Sequence, residues 1–148
     1  MSDKIFDTHT EEETLDLAIR IAKTLQFPAT LALYGDLGAG KTVFARGIAR
    51  GFGIDEAITS PTFTIIQEYP FAEKGSLFHM DLYRLHDDED ALSFGIEDFL
   101  NQPDSVSLME WPSRLTWLMP KNTIKIYFKH VGGDHRQITV PAVIGALL

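Results

Sequence analysis

The segment Gly35-Asp36-Leu37-Gly38-Ala39-Gly40-Lys41-Thr42 has the spacing of a complete phosphate-binding loop, and few folds can hold one. The apolar run Leu31-Ala32-Leu33-Tyr34 precedes it and reads as a buried strand. Val43-Phe44-Ala45-Arg46-Gly47-Ile48-Ala49 follows and reads as a helix that begins at the loop. This strand–loop–helix order separates a working loop from a chance string. The glycines let backbone N–H groups turn inward around a β-phosphate, and the helix N-terminus adds a favourable dipole. Lys41 is then placed to reach the β- and γ-phosphates, and the Thr42 hydroxyl to hold Mg²⁺. The expected fold is a three-layer α/β P-loop NTPase, with a mixed sheet of about seven strands whose antiparallel pairs follow the nucleotide core.

A chain of 148 residues, 45% hydrophobic, can bury one proper core, so residues 1–148 read as a single domain. There are no cysteines, which excludes disulfides and thiolate metal sites and makes a reducing compartment the default. The acidic start (Asp3, Asp7, Glu11, Glu12, Glu13) is unlike a signal peptide. The apolar stretch from Val140 to Leu148 is far shorter than the roughly 20 residues of a membrane helix. The expectation is a soluble cytoplasmic protein with no membrane association. A formal charge of −8 argues against a direct grip on RNA or DNA, because non-specific affinity comes chiefly from Lys and Arg on phosphates. Contact with nucleic acid should pass through a partner.

Thr10-Glu11-Glu12-Glu13 reads as a capping box that opens a helix through Leu25, with Leu15, Ala18, Ile19, Ala22 and Leu25 as its core face. Pro28 ends that segment. Thr59-Ser60-Pro61-Thr62-Phe63-Thr64 leads into a strand through Tyr69, and Ala72-Glu73-Lys74-Gly75 reads as the turn of a hairpin returning along Leu77 to Asp81. The acidic run Asp87 to Asp90 starts a helix, and Ile96 to Leu100 makes a second short one. Val106 to Glu110 is a buried strand ending on a carboxylate. Ile124, Ile126 and Phe128 alternate with Lys125, Tyr127 and Lys129, so this strand has one apolar face, and Gly132-Gly133 turns it into Gln137 to Val140.

P-loop enzymes place an acidic group at the end of a buried strand, to hold Mg²⁺ or orient water. Asp81 and Glu110 both satisfy that description, and the residues alone do not decide which is nearer a metal. Thr62 lies where nucleotide switches carry the Thr that senses the γ-phosphate. His79 alternates with Asp81 on one strand face, where a hydrogen-bonded structural role is the simpler account. His9, His86, His130 and His135 lack metal-ligand spacing and read as surface residues. Trp111 suits core packing, the edge of the site or a partner contact, whereas Trp117 reads as core. The Lys121, Lys125 and Lys129 stripe reads as a solvated strand face.

The guanine-reading Asn-Lys-x-Asp motif does not occur, nor does the arginine-bearing lid of a small-molecule kinase. No arginine finger is obvious either, so intrinsic hydrolysis should be slow. A nucleotide-gated binding module, or a small kinase, are the alternatives to an ATPase.

Four motifs in series carry a family resemblance: the loop Gly35 to Thr42, Ser60-Pro61-Thr62-Phe63-Thr64, His79-Met80-Asp81-Leu82-Tyr83-Arg84 and Glu110-Trp111-Pro112. Together they resemble the TsaE (YjeE) family, bacterial ATPases needed for threonylcarbamoyladenosine formation on tRNA. The likeness spans Thr10 to about Val140. It implies weak ATP hydrolysis, ATP/ADP and Mg²⁺ as cofactors, and action on a TsaB–TsaD assembly that modifies tRNA next to the anticodon. It also implies Thr42 and Glu110 as Mg²⁺ contacts, Lys41 as the phosphate lysine, Asp81 as an essential acid and Thr10 near the nucleotide. Met80 stands where many members have Phe, and the tail after Val140 leaves little room for a terminal helix.

Overall fold

The computed structural model describes residues 2–36, 38–59 and 65–148. Among the described residues, seven strands and five α-helices follow one another as β1 (Lys4–Thr8), α1 (Glu11–Ala22), β2 (Ala29–Tyr34), α2 (Lys41–Gly51), β3 (Ile66–Phe71), β4 (Gly75–Asp81), α3 (Asp88–Ser93), α4 (Ile96–Leu100), β5 (Ser105–Glu110), β6 (Ile124–Gly132), β7 (His135–Val140) and α5 (Ala142–Gly145). The sheet is mixed, in the order β1-β7-β6-β2-β5-β4-β3. The fold class is therefore α/β with a P-loop, as the motif required.

By internal contacts the chain divides into two compact units. One comprises 1–25, 33–59 and 125–148, the other 26–32 and 60–124. In the first unit, α1 begins at the expected Thr10 cap, but the reciprocal bond of Glu13 is with His9, one residue before the cap, instead of with Thr10. The Thr10 hydroxyl accepts the Glu13 N–H at 3.1 Å, while the Glu13 carboxylate accepts the His9 N–H at 2.9 Å. The helix ends at Ala22, before the Leu25 expected from sequence, and its buried face is Thr14, Leu17, Ala18, Ile21 and Ala22. That is a rotation from the expected face: Leu15 and Ile19 are only half-buried. The reason is α2, whose Gly47 and Gly51 admit the Leu15 and Ile19 backbone where side chains would otherwise stand. Phe44 of α2 meets Phe128 of β6 edge to face at 5.1 Å, closing a core with Leu33, Ile48, Ile126 and Ile138.

Strand β1 was not legible, being short and largely exposed. It is held by antiparallel pairing to β7, from Lys4 opposite Val140 to Thr8 opposite Arg136. The tail beyond Val140 does form a helix, of four residues only.

In the second unit β3 and β4 form the expected hairpin, Phe71 opposite Gly75, and β4 runs parallel to β5. Phe78, Met80, Leu82, Leu85, Ala91, Ile96, Leu100, Met109 and Leu115 make its core. Asp88 ties α3 to the chain after β5: its buried carboxylate accepts hydrogen bonds from the Thr116 N–H, the Thr116 hydroxyl and the Leu118 N–H at 2.7–3.0 Å. Trp117 is 62% exposed, against the expectation of a core residue, because its neighbours Thr116 and Leu118 turn their N–H groups towards Asp88.

Candidate nucleotide-binding site

The loop is built by close backbone approach. A Cβ on Gly35 would lie 2.8 Å from the carbonyl oxygen of Phe128 on β6, so no larger residue fits where the chain leaves β2. Gly40, with φ of 102°, occupies a conformation that side chains resist and stands as N-cap of α2 without a side chain to cover the helix end. The N–H groups of the first helical turn, which have no intrahelical acceptor, and the positive end of the helix dipole meet there. The Ala39 N–H donates to the Asp36 carbonyl at 3.2 Å, making a turn inside the loop. Lys41 is buried, and its Nζ donates to the Gly35 carbonyl at 2.6 Å, so the ammonium spans the loop from last turn to first. Thr42 is exposed and Val43 half-buried on the first turn of α2. Leu37, expected in this loop, and Thr62, expected as the γ-phosphate sensor, lie outside the described residues.

Arg136 is a residue that sequence reasoning missed. Its side chain lies over the loop, with Cγ 3.7 Å from the position a Cβ on Gly40 would take. Nη1 donates to the Gly133 and His135 carbonyls at 2.7 and 3.3 Å. The available signal was its position two residues before Ile138 and four before Val140, which places an arginine on the apolar face of a strand. Beside it, His135 stacks on His9 with ring centroids 4.3 Å apart. The His135 Nε2 lies 2.7 Å from Asp7 Oδ1, and this hydrogen bond, followed by one to Gln137, holds the Asp7 carboxyl below its ordinary range. Thr10 stands at the start of α1 with its hydroxyl engaged as the cap.

The two candidate acids come together in the second unit. Asp81 and Glu110 are register partners at the C-terminal ends of the parallel strands β4 and β5, so their side chains share one face of the sheet. Asp81 is turned by its own backbone, accepting the Tyr83 N–H at 3.1 Å. Glu110 is 8% exposed, and its Oε2 lies 2.7 Å from Nε2 of His79, which is more deeply buried still. The chain then turns sharply: Trp111 has φ of 58°, left-handed and unusual for a bulky residue, and Leu82 N–H donates to the Glu110 carbonyl at 3.1 Å. Trp111 packs on Tyr83 at 4.9 Å, with the Arg114 guanidinium 5.9 Å from the Trp111 ring and 5.7 Å from that of Tyr83. The Lys121, Lys125 and Lys129 stripe is exposed, as expected of a solvated face. Among the described residues no helix is long and apolar enough to cross a membrane.

A phosphate-binding loop joining a buried strand to a helix, set in a mixed α/β sheet, defines a P-loop nucleotide-binding protein. The family model described as "Threonylcarbamoyl adenosine biosynthesis protein TsaE" matches residues 8–138. The chain belongs to the TsaE family. The tRNA threonylcarbamoyladenosine biosynthesis protein TsaE of Bacillus subtilis is 40% identical to it over 136 residues, covering 92% of this chain and 84% of that one. The protein of the same name from Treponema pallidum is 34% identical over 133 residues, covering 90% and 96%. The crystal structure of YdiB from Bacillus subtilis superimposes with a TM-score of 0.78 at 34% identity, over 99% of this chain and 93% of that one.

Proposed function

We propose that this chain is a weak ATP hydrolase that acts in the threonylcarbamoyladenosine modification of tRNA, by driving cycling of a TsaB–TsaD assembly. The observation that carries the reading is the loop: Lys41 held across it to Gly35, at an uncapped helix N-terminus, in a member of the TsaE family. In this reading Gly35, Asp36, Leu37, Gly38, Ala39, Gly40 and Val43 line the phosphates of ATP or ADP, Thr10 lies near the nucleotide and Thr62 senses the γ-phosphate. Lys41 contributes the charge that stabilises the transferring phosphoryl group.

Thr42 and Glu110 are the proposed Mg²⁺ contacts, with Asp81 as the supporting acid. The donor set fits such an ion. Hydroxyl and carboxylate oxygens are the hard donors that Mg²⁺ takes, and Glu110 lies beside a second carboxylate, its register partner Asp81. Mg²⁺, when bound, neutralises charge building on the phosphates. The chain's net charge of −8 supports contact with tRNA through the partners rather than directly. ATP turnover measured alone, with bare tRNA and with TsaB–TsaD tests this reading. The expected result is low turnover alone and a rise with the partner complex; stimulation by bare tRNA with none from the partners would contradict it.

A further inference from the structure

Hydrolysis as described makes no use of His79. Its ring is 2% exposed, and Nε2 lies 2.7 Å from Glu110 Oε2, across the junction of β4 and β5. A carboxylate that binds a cation can only accept, so in that role Nε2 is the donor. Nδ1 is buried with no hydrogen-bond partner among the described residues, so nothing there competes to turn the ring away from Glu110. The register places His79 opposite Leu108, two residues before the Asp81–Glu110 pair, on the same face of both strands. His79 therefore grips one oxygen of Glu110 from behind, on the side of the strand interior. A carboxylate with one oxygen fixed offers the other in a set direction.

We propose that His79 is a positioning residue: its Nε2–H holds the Glu110 carboxylate in the orientation that binds the divalent cation of the nucleotide complex. The proposal rests on the reading of Glu110 as a metal contact. Partners that orient ligating carboxylates characteristically set metal affinity by about 10- to 100-fold. The geometry also states which substitute works. A Gln amide nitrogen reaches about as far as the imidazole Nε2, whereas an Asn amide reaches only as far as Nδ1.

The test uses Mn²⁺ as the probe, titrated by electron paramagnetic resonance into the full chain saturated with ADP. Wild type, His79→Gln, His79→Asn and Glu110→Gln are compared, with ADP affinity in EDTA measured alongside and folding checked by thermal melts. The expected result is Mn²⁺ affinity about 10-fold or more weaker for His79→Asn, within about 3-fold of wild type for His79→Gln, and ADP affinity in EDTA unchanged for both. Since both substitutes are polar and smaller than or similar in size to His, a merely structural role would weaken them alike. Equal Mn²⁺ affinity for His79→Asn and wild type, with Glu110→Gln weakened, overturns the positioning role alone. His79→Gln as weak as His79→Asn does the same. Glu110→Gln binding Mn²⁺ like wild type overturns the metal reading of Glu110 and this proposal with it.

Discussion

Gly47 of α2 and Ala18 of α1 bring two helices to backbone contact: a Cβ on Gly47 would lie 2.5 Å from the Ala18 Cβ and 2.7 Å from the Leu15 carbonyl oxygen. Gly51 repeats the relationship one turn on, against Ala22. Alanine is the better helix former by about 1 kcal/mol, yet forcing a methyl into a filled interface costs about 1–3 kcal/mol. Gly47→Ala should therefore lower the melting temperature by a few degrees, roughly 2–4 °C per kcal/mol at this size. A thermal melt equal to or above wild type would mean that α1 and α2 have room to spare.

The same pair shows why some of the fold was legible in sequence and some was not. The loop, the Thr10 cap and the alternation of Ile124, Ile126 and Phe128 are local patterns, each readable within a few residues. The face of α1 was not, because it depends on glycines 29 residues away from Ala18 and Ala22. Strand β1 escaped because its pairing with β7 joins the two ends of the chain. At the site, Asp81 and Glu110 were recognisable as carboxylates ending apolar strands. Their register and the His79 contact were not, since parallel strands paired across a separation of about 30 residues leave no local signature. Arg136 over Gly40 belongs to the same class of long-range contact.

Asp88 should make stability depend on pH. Burial pushes its carboxyl up, but the hydrogen bonds from Leu118 and Thr116 outweigh that and hold it below the ordinary value of 3.8. The folded state thus binds a proton less readily than the unfolded chain. Its stabilising contribution is present above the unfolded value and is lost as pH falls through the lower folded one. Asp88→Asn should cost about 2 kcal/mol near neutral pH, and the deficit should narrow as pH approaches 3. Urea unfolding of both proteins across that range checks this, and a deficit independent of pH would contradict it.

Arg136→Met keeps the apolar stem over Gly40 and removes the guanidinium. If that charge contributes to the potential of the loop, ADP affinity should fall by about tenfold, or about 1.4 kcal/mol. The melting temperature should hardly move, since the bonds to the Gly133 and His135 carbonyls lie at a turn. Titration calorimetry with unchanged affinity would assign Arg136 to packing alone.

Glu110→Gln retains the shape of the side chain and its capacity to meet His79 while removing the buried charge. Hydrolysis that depends on Mg²⁺ should fall by about 10-fold or more, with thermal stability of the nucleotide-free protein equal to wild type or higher. Full activity in this variant would move the acidic role to Asp81, its register partner.

The most direct measurement of the central claim is calorimetric titration of ATP with Mg²⁺ into wild type and Lys41→Ala, with circular dichroism confirming that both are folded. Wild type should bind, and loss of the ammonium that spans the loop to Gly35 should weaken binding by at least about tenfold. A folded Lys41→Ala protein that bound ATP with wild-type affinity would contradict the assignment of this loop as the nucleotide site.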